Sequence, residues 1–264
     1  MPTFNCDGFG YIVSSLLRPS LTRVDLITGA RTTIYDGIGP GLGINGVGFN
    51  PTDGYIYGFA TQGLLVNLVC GLLGCPQSQL IRIASNGNWE LLPLILQTQS
   101  ISMGDIDNQG RMFVSEGGKK WWSINMSKGS LNFGKQISEG TSKADLLTGV
   151  GDWSYVPGGG SYLYSVQASV LESGLLQTNI VRWSTSTNTW SSFRSYPGLL
   201  LTALNLVWGA TIAAPNNVLF AQENILGQTW RFDLSSGANP VAIQGGAILN
   251  LNGDGAKCAS GAVV

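Results

Sequence analysis

Five carboxylates stand at comparable places along this chain. Asp105, Asp152 and Asp254 lie near the starts of short apolar runs, and Glu116 and Glu223 lie at the ends of others, with Gln167 in the glutamate's place in a further run. Carboxyls gathered round an axis among apolar side chains hold their protons to higher pH than usual and can serve as general acid or base. The alternative for each is to cap a strand end or to bind water in a channel. Trp153 and Trp208 fall inside the same runs and Asn45 just ahead of one, so all three are candidates to hold a substrate. The chain contains no histidine, which excludes Ser-His-Asp and Cys-His catalysis and histidine-ligated zinc, copper or iron. There is no cofactor motif; an oxygen-ligand calcium site among the acids is a further alternative, although they lack the contiguous spacing of a calcium loop. Neither cofactor nor metal is expected.

The elements that must position these residues come from an internal repeat. Five segments share one strand pattern: Gly10-Tyr-Ile-Val-Ser14, Gly54-Tyr-Ile-Tyr-Gly58, Gly110-Arg-Met-Phe-Val114, Ser161-Tyr-Leu-Tyr-Ser165 and Asn217-Val-Leu-Phe-Ala221. Val13, Tyr57, Phe113, Tyr164 and Phe220 are 44, 56, 51 and 56 residues apart, and 57 residues close the circle through the termini. A second strand follows each, beginning at Arg23, Arg82, Ser123, Arg182 and Arg231, and then a tight turn: Thr28-Gly29, Asn86-Gly87, Lys128-Gly129, Asn188-Thr189 and Ser236-Gly237. Such dipeptides between alternating runs mark hairpins. The four repeated arginines are read as one structural contact per blade. An inner strand precedes each set, at 46–50, 104–107, 151–155, 208–212 and, for the closing blade, 253–259.

The whole reads as an all-β, five-bladed β-propeller with four antiparallel strands per blade, one domain over residues 1–264, closed by exchange of strands between the two ends. Radial repetition of this kind leaves only short, protected edges. Of the residues, 44% are hydrophobic and 11% charged, and 37 glycines often sit at turn positions. No window carries a helical apolar period, so almost no helix is expected. Sequence alone does not fix the pairing of Cys6, Cys70, Cys75 and Cys258. The favoured reading is a local Cys70–Cys75 clip and a Cys6–Cys258 bridge joining the ends, worth about 4–5 kcal/mol in the loop-entropy picture. Four reduced thiols in a cytosolic protein are the alternative. The net charge of −1 comes with no basic stripe, and no apolar run is long enough to span a membrane, so neither nucleic acid nor a membrane is an expected partner. Asn125-Met126-Ser127 is a glycosylation sequon, compatible with secretion.

Strand alternation sends all the long loops to one face: roughly 61–79, 138–149, 168–178, 197–206 and 245–251. The opposite face carries only short turns such as 51–54 and 108–110. Long loops on a rigid scaffold are where sites concentrate. These loops are rich in aliphatic residues, with Leu65, Leu68 and Leu204 among them. They pack on one another, or line a pocket for a hydrophobic small molecule, or meet a partner such as a second copy of the chain.

The segments Asn50-Pro-Thr-Asp-Gly-Tyr-Ile-Tyr-Gly58, Gly104-Asp-Ile-Asp-Asn-Gln-Gly110 and Asn252-Gly-Asp-Gly-Ala-Lys-Cys258 resemble a propeller-like domain of unknown function found in bacterial surface proteins and secreted fungal proteins. The resemblance spans the chain. It implies the propeller fold and secretion, and brings no catalytic motif. In its apolar loops, such as 64–73, and its lack of histidine, the chain is also similar to the fungal hetero-Diels–Alderases of tropolone–sesquiterpenoid pathways. That likeness implies dehydration of a hydroxymethyl tropolone or phenol, then cycloaddition to a terpene alkene. An Asp or Glu would assist the first step, while Trp153, Trp208 and the leucines hold the reactants. Two other classes stay open. A lectin would show one sugar-binding set per blade, whereas the loops here differ strongly. A glycoside hydrolase would use the carboxylates at the channel mouth, but aliphatic loops suit a sugar poorly.

Overall fold

In the computed structural model, residues 1–14, 18–40, 43–61, 77–98, 100–143, 150–170, 176–196, 207–224, 227–243, 253–261 and 263 are described. Their strands form five separate four-stranded antiparallel sheets. Blade 1 contains β1 (Phe9–Ser14), β2 (Ser20–Asp25) and β3 (Arg31–Asp36). Blade 2 contains β4 (Gly43–Asn50), β5 (Tyr55–Thr61), β6 (Ser78–Ile83) and β7 (Trp89–Leu96). Blade 3 contains β8 (Met103–Ile106), β9 (Arg111–Glu116), β10 (Lys120–Asn125) and β11 (Gln136–Thr141). Blade 4 contains β12 (Ser154–Tyr155), β13 (Tyr162–Val170), β14 (Leu176–Ser184) and β15 (Trp190–Tyr196). Blade 5 contains β16 (Trp208–Ala214), β17 (Val218–Glu223), β18 (Thr229–Asp233) and β19 (Val241–Ala242). The last strand, β20 (Gly253–Ala256), pairs with β1 and completes blade 1 in the order β20-β1-β2-β3. The inner strands touch in turn, β20 to β4 to β8 to β12 to β16 and back to β20, so the blades form a ring.

This is the five-bladed propeller with exchanged ends that the repeat implied, and Cys6 is bonded to Cys258 with their Cα atoms 5.1 Å apart. In blades 2 to 5 a short turn joins the first strand to the second. In blade 1 that place is taken by the two chain ends and their disulfide. Lys257 reinforces it, its Nζ donating to the carbonyls of Asp7, Cys258 and Gly261. Cys70 and Cys75 lie outside the described residues. The hairpin of blade 4 is longer than expected: β13 and β14 stay paired out to Val170 and Leu176, through most of what reads as a loop at 168–178. In blade 3, β11 likewise runs on to Thr141.

A strand sends successive side chains to opposite faces, and here each face of a blade packs against one neighbour. Tyr11 and Val13 bury between blades 1 and 2, whereas Ile12 buries between blades 5 and 1. Five apolar clusters result, one per junction. The turn residues behave as their sequence requires: Gly29, Gly87, Gly129 and Asn188 all take positive φ, the region glycine and asparagine reach most cheaply.

The repeated arginines are structural in three blades. Arg23, Arg82 and Arg182 face Tyr11, Tyr57 and Tyr164 across the strand pair. Each lays its guanidinium over the ring two residues earlier: Phe9 at 4.4 Å, Tyr55 at 4.8 Å and Tyr162 at 4.0 Å from the centroid. Such contacts contribute about 0.5–2 kcal/mol each.

Near the axis the inner strands approach so closely that side chains have no room. A Cβ on Gly104 would collide with the backbone of Gly46, and one on Gly255 with the carbonyl of Thr211. A Cβ on Gly48 would stand 2.8 Å from the Cα of Asp105. Because the obstacle is backbone of another blade, relief requires the blades to part. Gly104→Ala is therefore expected to destabilise the ring by roughly 3 kcal/mol, read as a lowered midpoint in urea unfolding. An unchanged midpoint would mean that the hub is looser than this geometry.

Candidate functional site

The three aspartates are placed at the hub. Asp254, on β20, accepts the N–H of Val47 in blade 2 at 2.8 Å and that of Gly255 at 2.9 Å. Asp105, on β8, accepts the N–H of Tyr155 in blade 4 at 2.7 Å and that of Ile106 at 2.8 Å. Asp152, just before β12, accepts the N–H of Thr211 in blade 5 at 2.7 Å and its hydroxyl at 3.0 Å. It also accepts the N–H of Trp153 at 2.7 Å and, at 3.4 Å, that of Gly104 in blade 3. Each aspartate thus holds its own backbone with one oxygen and the next blade with the other. Asp152 and Asp254 are fully buried and Asp105 nearly so.

Burial sets their protonation. Sealing Asp105 from water raises its pKa well above the carboxylate range. Asp152 is pushed up to about 7, again by burial first, while a hydrogen bond from Asp254 and the N–H groups of Thr211 and Trp153 pull it down. Asp254 is raised well above the usual range by burial and by the charge of Asp152 across the axis. The two carboxyls titrate together, a hydrogen bond from Asp254 favouring the ionised form of Asp152.

Trp153 is enclosed as well. It stacks on Trp183 at 5.2 Å and lies 5.9 Å from Trp190, in the cluster between blades 3 and 4. Its ring is fully buried, with no face turned to solvent.

The remaining candidates sit at the strand ends on the long-loop face. Glu223 ends β17, is 1% exposed, and accepts the N–H of Gln228 at 3.2 Å. Trp208 pairs with Glu223 across β16 and β17 and packs at 5.9 Å from Phe232 between blades 4 and 5. Gln167, buried on β13, bridges to Val150, which bridges in turn to Trp208. Backbone pairing therefore lines up Gln167, Trp208 and Glu223 along one stretch of the rim. Their side chains do not form one cluster: the alternation of β13 turns Gln167 toward blade 3, and that of β17 turns Glu223 toward blade 4. Glu116 stands apart in blade 3, half-buried, and accepts the hydroxyl of Thr98. Asn45 is half-buried on β4, opposite Phe59. Leu65, Leu68 and Leu204 lie outside the described residues, as does most of the aliphatic loop sequence.

One rim residue escaped the sequence reading. Asn179 is buried opposite Gln167 on β14, bonded through Ser169 at 2.8 Å and Gln177 at 2.7 Å. The signal was a lone amide ahead of an apolar run, legible only once the register with β13 is known. Asn125, in the sequon, donates its side-chain amide to Ser130 at 3.1 Å.

Among the described residues there is no group of three or more His, Cys, Asp or Glu side chains placed to hold a metal ion. Nor is any helix among the described residues long and apolar enough to cross a membrane.

A family described as a repeat of unknown function, DUF6923, matches residues 24–260. No match is found among curated proteins. Among solved structures, a chain of a nidogen–laminin complex is similar with a TM-score of 0.50 and 8% identity, over 90% of this chain and 78% of that one. TolB from Acinetobacter baumannii is similar with a TM-score of 0.48 and 10% identity, over 91% of this chain and 53% of its own. Virginiamycin B lyase from Staphylococcus aureus follows with a TM-score of 0.42 and 15% identity, over 85% of this chain and 62% of its own. The chain thus spans less than two thirds of the last two. At these identities the likeness is one of fold alone.

Proposed function

Since the chain belongs to the DUF6923 family, a repeat of unknown function matched over residues 24–260, we propose from its own residues that it binds a hydrophobic small molecule on the long-loop face and acts on it without a cofactor. The observation that carries this reading is the burial of Glu223 at the end of β17 beside Trp208 on that face, with Gln167 and Asn179 buried three residues inside the neighbouring hairpin. Strand ends beneath loops ordinarily carry their polar groups into water. Burying a carboxylate there is costly unless the surroundings are built for it. The aliphatic composition of the loop sequences suits such a ligand.

Acid–base work falls in this reading to Glu223, with Glu116 second. Asp105, Asp152 and Asp254 hold the blades together and Trp153 fills a junction, so none of them contacts substrate. Trp208 lies beside Glu223 and orients the ligand. In the finer form of the proposal, the substrate is a hydroxymethyl phenol or tropolone. A glutamate takes its ring hydroxyl proton as the benzylic C–O bond breaks, and passes that same proton to the departing hydroxide, which leaves as water. The diene left behind then adds to an alkene, and both new bonds form without further help from the protein beyond orientation. The disulfide between Cys6 and Cys258 supports placing the protein in the secretory pathway or outside the cell.

The test begins with thermal shift of the purified protein against a tropolone and terpene panel beside a glycan panel. A rise in Tm with the apolar compounds alone is expected, and a rise with sugars alone would overturn the reading. With a turned-over compound in hand, Glu223→Gln is expected to lower kcat by roughly 10²–10⁴-fold with little change in Tm. Full activity of this variant would remove Glu223 from the chemistry.

A further inference from the structure

The arginine–ring stack described above is absent from blades 3 and 5, and in blade 5 the arginine is kept without its ring. Arg231 faces Phe220 as Arg23 faces Tyr11, Arg82 faces Tyr57 and Arg182 faces Tyr164. Two residues earlier on the second strand, where the other blades have Phe9, Tyr55 and Tyr162, blade 5 has Val218. The fourth strand gives no substitute: Arg231 pairs there with Val241, whereas Arg182 has Phe193 at 5.2 Å on its other side. Among the described residues the Arg231 guanidinium makes no hydrogen bond and no direct ion pair, although its charge helps to hold Asp233 ionised. Blade 3 differs in the opposite sense, with Ser123 at the arginine position and Arg111 at the ring position, held by Asp107.

Where the ring is missing a groove opens. It lies between blades 5 and 1 on the short-turn face, with a volume of about 520 Å³, and Arg231, Val218 and Phe220 line it together with Leu26, Ile27 and Ile243. The corresponding space between blades 3 and 4 is about 180 Å³. A volume of a few hundred cubic ångströms, apolar walls and one convergent cation are what a site for a small organic ligand requires.

We infer that this groove is a binding site for a small uncharged aromatic molecule, of the phenol or indole class, whose ring takes the place under Arg231 that Phe9, Tyr55 and Tyr162 hold in their blades. Stacking on a guanidinium favours an electron-rich ring. A carboxylate on the ligand is disfavoured, because Asp233 also lines the groove, kept ionised by the hydroxyl of Ser235 and the N–H groups of Ser235 and Ser236. The site is on the opposite face from the one proposed above and does not depend on it.

Isothermal titration calorimetry with 4-ethylphenol, indole and 4-ethylcyclohexanol provides the test. Both aromatic probes bind, and the saturated alcohol binds roughly 3- to 30-fold more weakly. Val218→Tyr restores the ring that the other blades carry, so it abolishes binding while Tm is unchanged or raised. Arg231→Gln weakens the aromatic probes by roughly the same 3- to 30-fold and leaves the saturated alcohol unaffected. Absence of binding by both aromatic probes overturns the inference. So does equal affinity for the saturated alcohol, or undiminished binding to the Val218→Tyr protein.

Discussion

Asp152→Ala is expected to destabilise the folded ring by about 3–5 kcal/mol, the largest effect of any single side chain at the hub. The change strands the buried N–H groups of Thr211 and Trp153, both now bonded to one carboxyl, and leaves the Thr211 hydroxyl with the Ser154 hydroxyl alone. It also leaves Asp254 without its acceptor across the axis. The same carboxyls make stability depend on pH. In the unfolded chain each aspartate ionises near 4; in the folded ring Asp152 holds its proton up to about 7, and Asp105 and Asp254 are raised as well. The folded state therefore binds more protons, and their contribution is full below about pH 4 and lost as the pH rises through about 7. Thermal melts between pH 4 and 8 should show Tm falling across that window. Asp254→Asn should start lower, because one backbone N–H loses its acceptor, and fall less steeply. A Tm that climbs steadily to pH 8, or an undiminished slope in the Asn variant, would rule out coupled titration of the hub carboxyls.

The second large effect is expected from opening the ring. Cys6→Ser with Cys258→Ser removes a bridge spanning 252 residues of sequence and should cost about 2–5 kcal/mol. Guanidinium unfolding with and without reductant measures it: the wild-type midpoint drops on reduction to that of the double variant. Strands β20 and β1 share only four paired positions, with no turn between them to hold the register, so the loss should appear first as exchange of the amide protons of blade 1. Equal protection in all five blades after reduction would mean that Lys257 and the strand pairing suffice.

The repeat made the propeller, its exchanged ends and the Cys6–Cys258 pairing legible, because each blade obeys the same alternation and the same turn chemistry at Gly29, Gly87 and Gly129. The structural reading of the arginines likewise follows from their fixed offset to an aromatic. The hub was less legible. Asp105, Asp152 and Asp254 look in sequence like acids round a channel, and that is where they lie. What sequence does not convey is how close the inner strands come. With Gly46, Gly48, Gly104 and Gly255 bringing backbones together, the aspartate oxygens meet N–H groups of the next blade instead of open space. Trp153 was misplaced for a similar reason: its partners Trp183 and Trp190 are about thirty residues or more away in sequence, and only the packing of blade 3 on blade 4 shows that the ring has no free face. Asn179 was missed because its neighbour Gln167 is defined by a register that extends into what reads as a loop.

The blades are joined at the hub in two ways, by a carboxyl bonded to the next backbone or by glycine letting two backbones touch. Going round, blade 1 meets blade 2 through Asp254, blade 2 meets blade 3 through Gly46, Gly48 and Gly104, and blade 3 meets blade 4 through Asp105. Blade 4 meets blade 5 through both, Asp152 and the approach of Gly151 to the carbonyl of Trp208, and blade 5 meets blade 1 through Gly255. Two kinds of joint can alternate perfectly round a ring only if the number of members is even. With five, one junction must break the alternation, and here it is that between blades 4 and 5, which carries both kinds of joint. Tandem copies of one identical repeat could not build this hub. A five-membered ring fastened in this manner demands that its repeats differ from one another, and the mismatch it cannot avoid gives an otherwise rotationally symmetric body a fixed point of reference.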